Sequence, residues 1–137
     1  MKAPAAVKAP APGEGGEDRR DAEPRGFDGL MRRGNELRTA DPGGALELFE
    51  KALEQKPGHP EVHHKVGDCL YRLGRHRDAV AHFRTAIEAS GFRASFTRIA
   101  QSLAALGDRA AAVRYLEQGL QQYPGDSLMK SMLDQYR

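Results

Sequence analysis

The sequence has 137 residues, enough for one small domain, with a net charge of +2, 29% charged residues, 7% aromatic residues and no Trp. Its longest apolar stretches are a handful of residues, far short of the roughly 20 that cross a bilayer, and the single Cys69 excludes an internal disulfide. A pI near 8.8 is mildly basic, without the concentrated cationic footprint of a dedicated nucleic-acid binder.

Residues 1–26 hold four of the eight Pro, four of the fifteen Gly and no aromatic, and their five basic and five acidic residues cancel. Such a segment cannot bury enough apolar surface to offset its ordering entropy, which predicts a disordered tail or linker. It lacks an apolar h-region, so it does not read as a secretion signal. With the lone Cys this predicts a cytoplasmic protein, and fifteen Arg against six Lys point to a GC-rich bacterial genome.

Past Phe27 the pattern becomes helical. Phe27, Leu30, Met31, Gly34 and Leu37 form a first helix, and Asp41-Pro42 caps and starts a second carrying Ala45, Leu46, Phe49, Ala52 and Leu53. His59-Pro60 opens a third helix with Val62, Val66, Leu70 and Leu73, ending at Gly74. Ala79, Val80, Phe83, Ala86 and Ile87 mark a fourth, ending near Gly91. Phe96, Ile99, Leu103 and Leu106 lead to Gly107, and Asp108 caps a helix with Ala112, Val113, Leu116 and Leu120. Asp126 or Ser127 caps a last helix with Leu128, Met132 and Leu133.

These pairs repeat. Ala45, Ala79 and Ala112 recur at steps of 34 and 33, as do Phe49, Phe83 and Leu116, then Ala52, Ala86 and Gly119, then Pro57, Gly91 and Pro124. Gly67, Ala79 and Ala86 let helices approach closely, while Leu70 and Phe83 fill the space between layers. A helix pair of this size cannot bury both faces alone, so stacking into a solenoid follows.

The columns resemble the tetratricopeptide repeat (TPR), whose signature runs Trp-x2-Leu-Gly-x2-Tyr, then Ala-x3-Phe, Ala and Pro. The second unit reads His63-x2-Val66-Gly67-x2-Leu70, then Ala79-x3-Phe83, Ala86 and Gly91. The third reads Phe96-x2-Ile99-Ala100-x2-Leu103, then Ala112-x3-Leu116 and Pro124; in the first, Leu30, Gly34 and Leu37 fit with a turn one residue shorter. Departures are the absent Trp, His63 in its place and Gly119 where Ala is usual. The resemblance implies an all-α, right-handed α-solenoid over residues 27–137, with helix-turn-helix repeats near 27–58, 59–91 and 92–124 and a capping helix over 126–136.

Chemistry is sparse. His59, His63, His64, His76 and His82 fall within 24 residues, but no Cys, Asp or Glu completes a recognisable ligand set, and satisfied or solvated histidines are the simpler reading. Cys69 sits mid-helix between core positions, away from the helix N-terminus that lowers a thiol pKa. Phosphate-binding loops and serine-nucleophile motifs are absent. The basic run Arg72–Arg77 has only Tyr71 for base stacking. The expectation is therefore a non-enzyme with no cofactor or metal, binding neither nucleic acid nor membrane.

What remains is a surface. The resemblance implies that the first helix of each repeat lines a concave groove taking a peptide or helix of a partner protein. The groove positions are then Met31, Arg32, Asn35 and Arg38; Glu61, His64, Lys65, Asp68 and Arg72; and Thr97, Arg98 and Gln101. Asn35 and Arg98 fall on columns of the carboxylate clamp that some such domains use, but Met31, Lys65 and Ala94 stand where that clamp needs Lys, Asn and Lys. Arg32, Arg38, Lys65, Arg72 and Arg98 against Glu61 and Asp68 predict an acidic partner segment, or one ending in a free carboxylate. The competing expectation is an assembly subunit of a motility, secretion or signalling machine, acting through its outer or terminal faces. A third is the C-terminal part of a larger protein, and an enzyme accessory domain stands last.

Overall fold

The computed structural model describes residues 25–137; the expected tail, apart from its last two residues, lies outside them. Seven helices and no strand occur among the described residues: α1 (Phe27–Leu37), α2 (Pro42–Gln55), α3 (Pro60–Arg72), α4 (His76–Ser90), α5 (Arg93–Ala105), α6 (Arg109–Gln122) and α7 (Ser127–Tyr136). Their starts follow the sequence chemistry. The Asp41 carboxylate accepts the Gly44 N–H at 3.0 Å, Asp108 accepts that of Ala111 at 3.0 Å, and Asp126, rather than Ser127, accepts that of Met129 at 2.8 Å. Each satisfies a donor that the first helical turn leaves free. Gly74 and Gly107, just past α3 and α5, have φ of 80° and 87°, the left-handed region that side chains other than Gly enter only with strain.

Each helix packs on the next, and α3 also meets α5 as α5 meets α7. The odd-numbered helices are thus the inner, concave layer, and the even ones the outer layer.

Closeness within a repeat rests on one pairing. A Cβ added to Gly67 would lie 2.7 Å from a ring carbon of Phe83, and one on Gly34 would lie 2.6 Å from Phe49. Both rings are fully buried, so each seats directly on helix backbone. The match of Gly34 with Phe49 accounts for the first repeat, whose turn is not the shorter one expected. Residues 38–41 connect α1 to α2, against three residues in each later repeat, and the one-residue deficit arises because α1 ends sooner after Gly34 than α3 does after Gly67. In the third repeat the same columns hold Ala100 and Leu116, both fully buried, so a methyl replaces hydrogen where a smaller chain replaces the ring. Gly119, where Ala is usual, is also required: a Cβ there would lie 2.7 Å from Met129 Sδ and 2.9 Å from Phe96 Cγ. Capping helix α7 therefore closes onto α5 and α6 through this glycine.

Gly67→Ala should destabilise the protein by about 1–3 kcal/mol despite the better helix propensity of Ala. Combining it with Phe83→Leu recreates the pairing of the third repeat and should cost at least 0.5 kcal/mol less than the two single changes together, on the order of a contact coupling. Urea denaturation of the four proteins measures this, and strict additivity would show that the two positions are not packed as described.

Candidate functional site

The concave layer is organised around one carboxylate. Asp68, in the middle of α3, has a side chain only 4% exposed. Three guanidiniums reach it from three repeats, each through its Nε: Arg72, one turn along α3, at 3.2 Å; Arg98 of α5 at 3.1 Å; and Arg38, at the C-terminal end of α1, at 3.6 Å. Only the Arg72 contact has hydrogen-bond geometry; Arg38 Nε and Asp68 Oδ1 are sealed from solvent without a hydrogen bond, so the other two contacts are ion pairs. Arg98 is further held by its Nη1 donating to Gln101 Oε1 at 3.0 Å and by the Tyr71 ring 5.1 Å beneath its Cζ. About a third of each arginine side chain remains exposed.

These residues face a pocket of about 360 Å³ lined by Arg38, His64, Asp68, Arg72, Ala94, Thr97, Arg98, Gln101 and Leu128. Seven of the twelve residues assigned to the groove from sequence meet there. Lys65 is half-buried on the same helix; burial lowers its ammonium pKa and Arg38 adds to this, while Glu61 and Asp68 oppose it. Arg32 and Asn35 are exposed and lie outside the pocket. Met31, expected to face the groove, is instead 9% exposed within the core, because the first helix turns its apolar stripe inward there. Leu128 was not expected in the groove: α7 brings this exposed apolar side chain to the pocket wall.

His64 proves to be a core group at the groove floor. Its Nδ1 lies 2.8 Å from the Ser95 hydroxyl, and its ring packs against Phe83 and Phe92 at centroid distances of 5.3 and 5.1 Å. Burial pushes its pKa down to about 4; Asp68 acts in the opposite direction, and Lys65, Arg98 and Arg38 lower it further. At neutral pH it is uncharged, so the pocket holds three positive charges against one negative.

The remaining histidines make packing contacts. His63, on the Trp column, has Nε2 2.7 Å from the Pro57 carbonyl and Nδ1 3.2 Å from His82 Nδ1, with the two rings stacked between α3 and α4. A carbonyl only accepts, so His63 carries its proton on Nε2 and, when neutral, accepts from His82. Burial, then His63, lowers the His82 pKa. No group of three or more His, Cys, Asp or Glu side chains that could hold a metal occurs among the described residues. Cys69 is buried, and burial with the adjacent Asp68 pushes its thiol up to about 11, the opposite of an activated nucleophile. No helix among the described residues is long and apolar enough to cross a membrane.

The depressed His64 value has a thermodynamic consequence. Between its unfolded pKa of 6.5 and its folded value near 4, the unfolded chain binds the extra proton, so stability falls as pH falls. His64 alone should remove about 2–3 kcal/mol between pH 7 and 4.5. Urea denaturation across that range should show the loss, and a His64→Asn variant should show a visibly flatter pH dependence; identical slopes would contradict a buried neutral imidazole.

Sequence profiles of the tetratricopeptide repeat match residues 37–94 and 94–126. Human and mouse tetratricopeptide repeat protein 8 are each 31% identical over 62 residues; the match spans 45% of this chain but only 12% of those proteins. Among solved structures, MamA superposes with a TM-score of 0.78 at 14% identity, over 90% of this chain and 73% of its own. The first TPR of Spaghetti (RPAP3), bound to the HSP90 peptide SRMEEVD, gives 0.75 at 17% identity over 80% and 89%. The Sgt2 TPR domain from Aspergillus fumigatus gives 0.75 at 19% identity over 83% and 82%. Sequence columns, helix pairing and superposition agree, and the chain belongs to the tetratricopeptide-repeat family.

Proposed function

We propose that this chain is a non-catalytic interaction module of the cytoplasm that holds an acidic segment of another protein along its concave face. The observation that carries the reading is the charge at Asp68. One buried carboxylate orients three arginines by their Nε atoms, and among the described residues no acceptor takes the terminal nitrogens of Arg38 or Arg72. A concave surface with surplus positive charge attracts acidic ligands and quickens their capture. The RPAP3 domain of similar fold holds a peptide, SRMEEVD, that is itself rich in acidic residues. The grip differs from a Lys/Asn/Arg carboxylate clamp. Met31 is in the core, Ala94 has no charge to offer, and Arg98 is already engaged by Asp68.

The test variant follows from that engagement. Reversing Arg98 would set a second carboxylate against a buried one, so Lys65→Glu is the cleaner change. Affinity capture from the native host, with partners identified by mass spectrometry, should weaken about tenfold in Lys65→Glu with an unaltered helical spectrum, since like charges facing across an interface repel. Capture by the unaltered chain should also fall as salt rises from about 50 to 300 mM. Wild-type capture by Lys65→Glu would place the binding surface elsewhere.

A further inference from the structure

We propose that the three-arginine cup around Asp68 is a receptor for a phosphate-monoester dianion, presented as phosphoserine or phosphothreonine on the bound segment. This rests on the groove reading and specifies the group that the cup takes.

The argument is one of charge and valence. A carboxylate carries one charge on two oxygens in one plane, whereas a phosphate monoester spreads up to two charges over three oxygens that are not coplanar with one guanidinium. Here three guanidiniums converge from α1, α3 and α5 on one point. With Asp68 ionised and His64 neutral they leave a surplus of two positive charges, the complement of a phosphate monoester, which carries about −1.5 to −2 at neutral pH on three acceptor oxygens.

The donors are also pre-oriented. Because Asp68 meets each arginine at Nε, the terminal nitrogens of Arg38 and Arg72 are left for a ligand, while Arg98 spends Nη1 on Gln101. Arginines held in place lose less freedom on binding than free surface side chains. The exposed Leu128 at the wall supplies an apolar contact for a residue beside the phosphorylated one, which free phosphate cannot use.

The test uses the full chain and follows the Nε–Hε resonances of Arg38, Arg72 and Arg98 by NMR. Inorganic phosphate should shift all three together and saturably at pH 7.5, whereas acetate at equal ionic strength should not. Three versions of one acidic heptapeptide, with phosphoserine, glutamate or serine at the centre, supply the second arm. The phosphopeptide should bind at least about tenfold more tightly than the glutamate peptide, the scale of one charge-assisted hydrogen bond.

Arg38→Gln, at the longest of the three contacts, should remove most of that preference with the helical spectrum unchanged. Arg38→Lys should lose it too, because an ammonium is a point charge without the planar fork of a guanidinium. Equal binding of the phosphoserine and glutamate peptides would overturn the phosphate assignment and leave the groove reading standing. Inorganic phosphate binding as tightly as the phosphopeptide would overturn the protein-borne source in favour of a small anion. Failure of all three peptides and of phosphate to move the arginine resonances would overturn the cup as an anion site, while partner capture sensitive to Lys65→Glu would still support the groove.

Discussion

A carboxylate removed from water at the centre of α3 sets the terms for the whole concave face. Removing Asp68 from solvent costs several kcal/mol unless cations compensate it, and the compensation comes from three repeats at once, through Arg38, Arg72 and Arg98. The interaction is therefore both a fastening and a placement. It ties α1 and α5 to α3 across the inner layer, and it fixes where three guanidiniums stand. Burial, aided by Lys65, Arg98 and Arg38 and opposed by Asp68, keeps His64 neutral, so the floor of the pocket adds no charge of its own. Structure and electrostatics are coupled at one residue, and a change there alters both.

That arrangement depends on how closely the helices approach. Phe49 and Phe83 seat on glycine backbone, and the third repeat reaches the same spacing with Ala100 and Leu116. Volume is conserved along the columns while residue types change, as close packing demands. At the C-terminal end Gly119 admits Met129 and Phe96, and Arg93 Nε donates to Asp126 at 2.7 Å, tying the start of α5 to the cap of α7. Because α7 packs against α5 in this way, its Leu128 reaches the groove.

Much of the fold was legible in the sequence because its determinants are local or periodic. Asp41, Asp108 and Asp126 cap the helices they precede, Gly74 and Gly107 end theirs, and Gly67 allows the close helix approach expected of it, with Phe83 as the ring that seats there. The site was legible as a set of positions but not as chemistry. Seven of the twelve assigned residues line one pocket, yet Asp68 read as a charge that merely offset the arginines. Two signals pointed to burial: its place between Gly67 and Cys69 in a core run, and Arg72 at i+4. Arg38 and Arg98 lie thirty residues away on either side of Asp68, a separation that is not the repeat period, so their convergence on it arises only from stacking. Met31 misled for a related reason. A column describes where family members face, whereas Met31, on the same column as the buried His64, is apolar and packs into the core. His64 sat on a groove column as well, but Phe83, Phe92 and Ser95 enclose it.

The claim that Asp68 holds the concave face together is tested most directly by Asp68→Asn, an isosteric loss of charge, followed by urea denaturation at low and high salt. Removing the anion leaves three guanidiniums facing one another, so stability should fall by about 2–4 kcal/mol at low salt, somewhat less than for a fully buried pair because the arginines remain partly hydrated. Part of that deficit should return at about 1 M salt, where screening shortens to a few ångströms. An Asn variant as stable as the unaltered protein, with the same response to salt, would contradict the account.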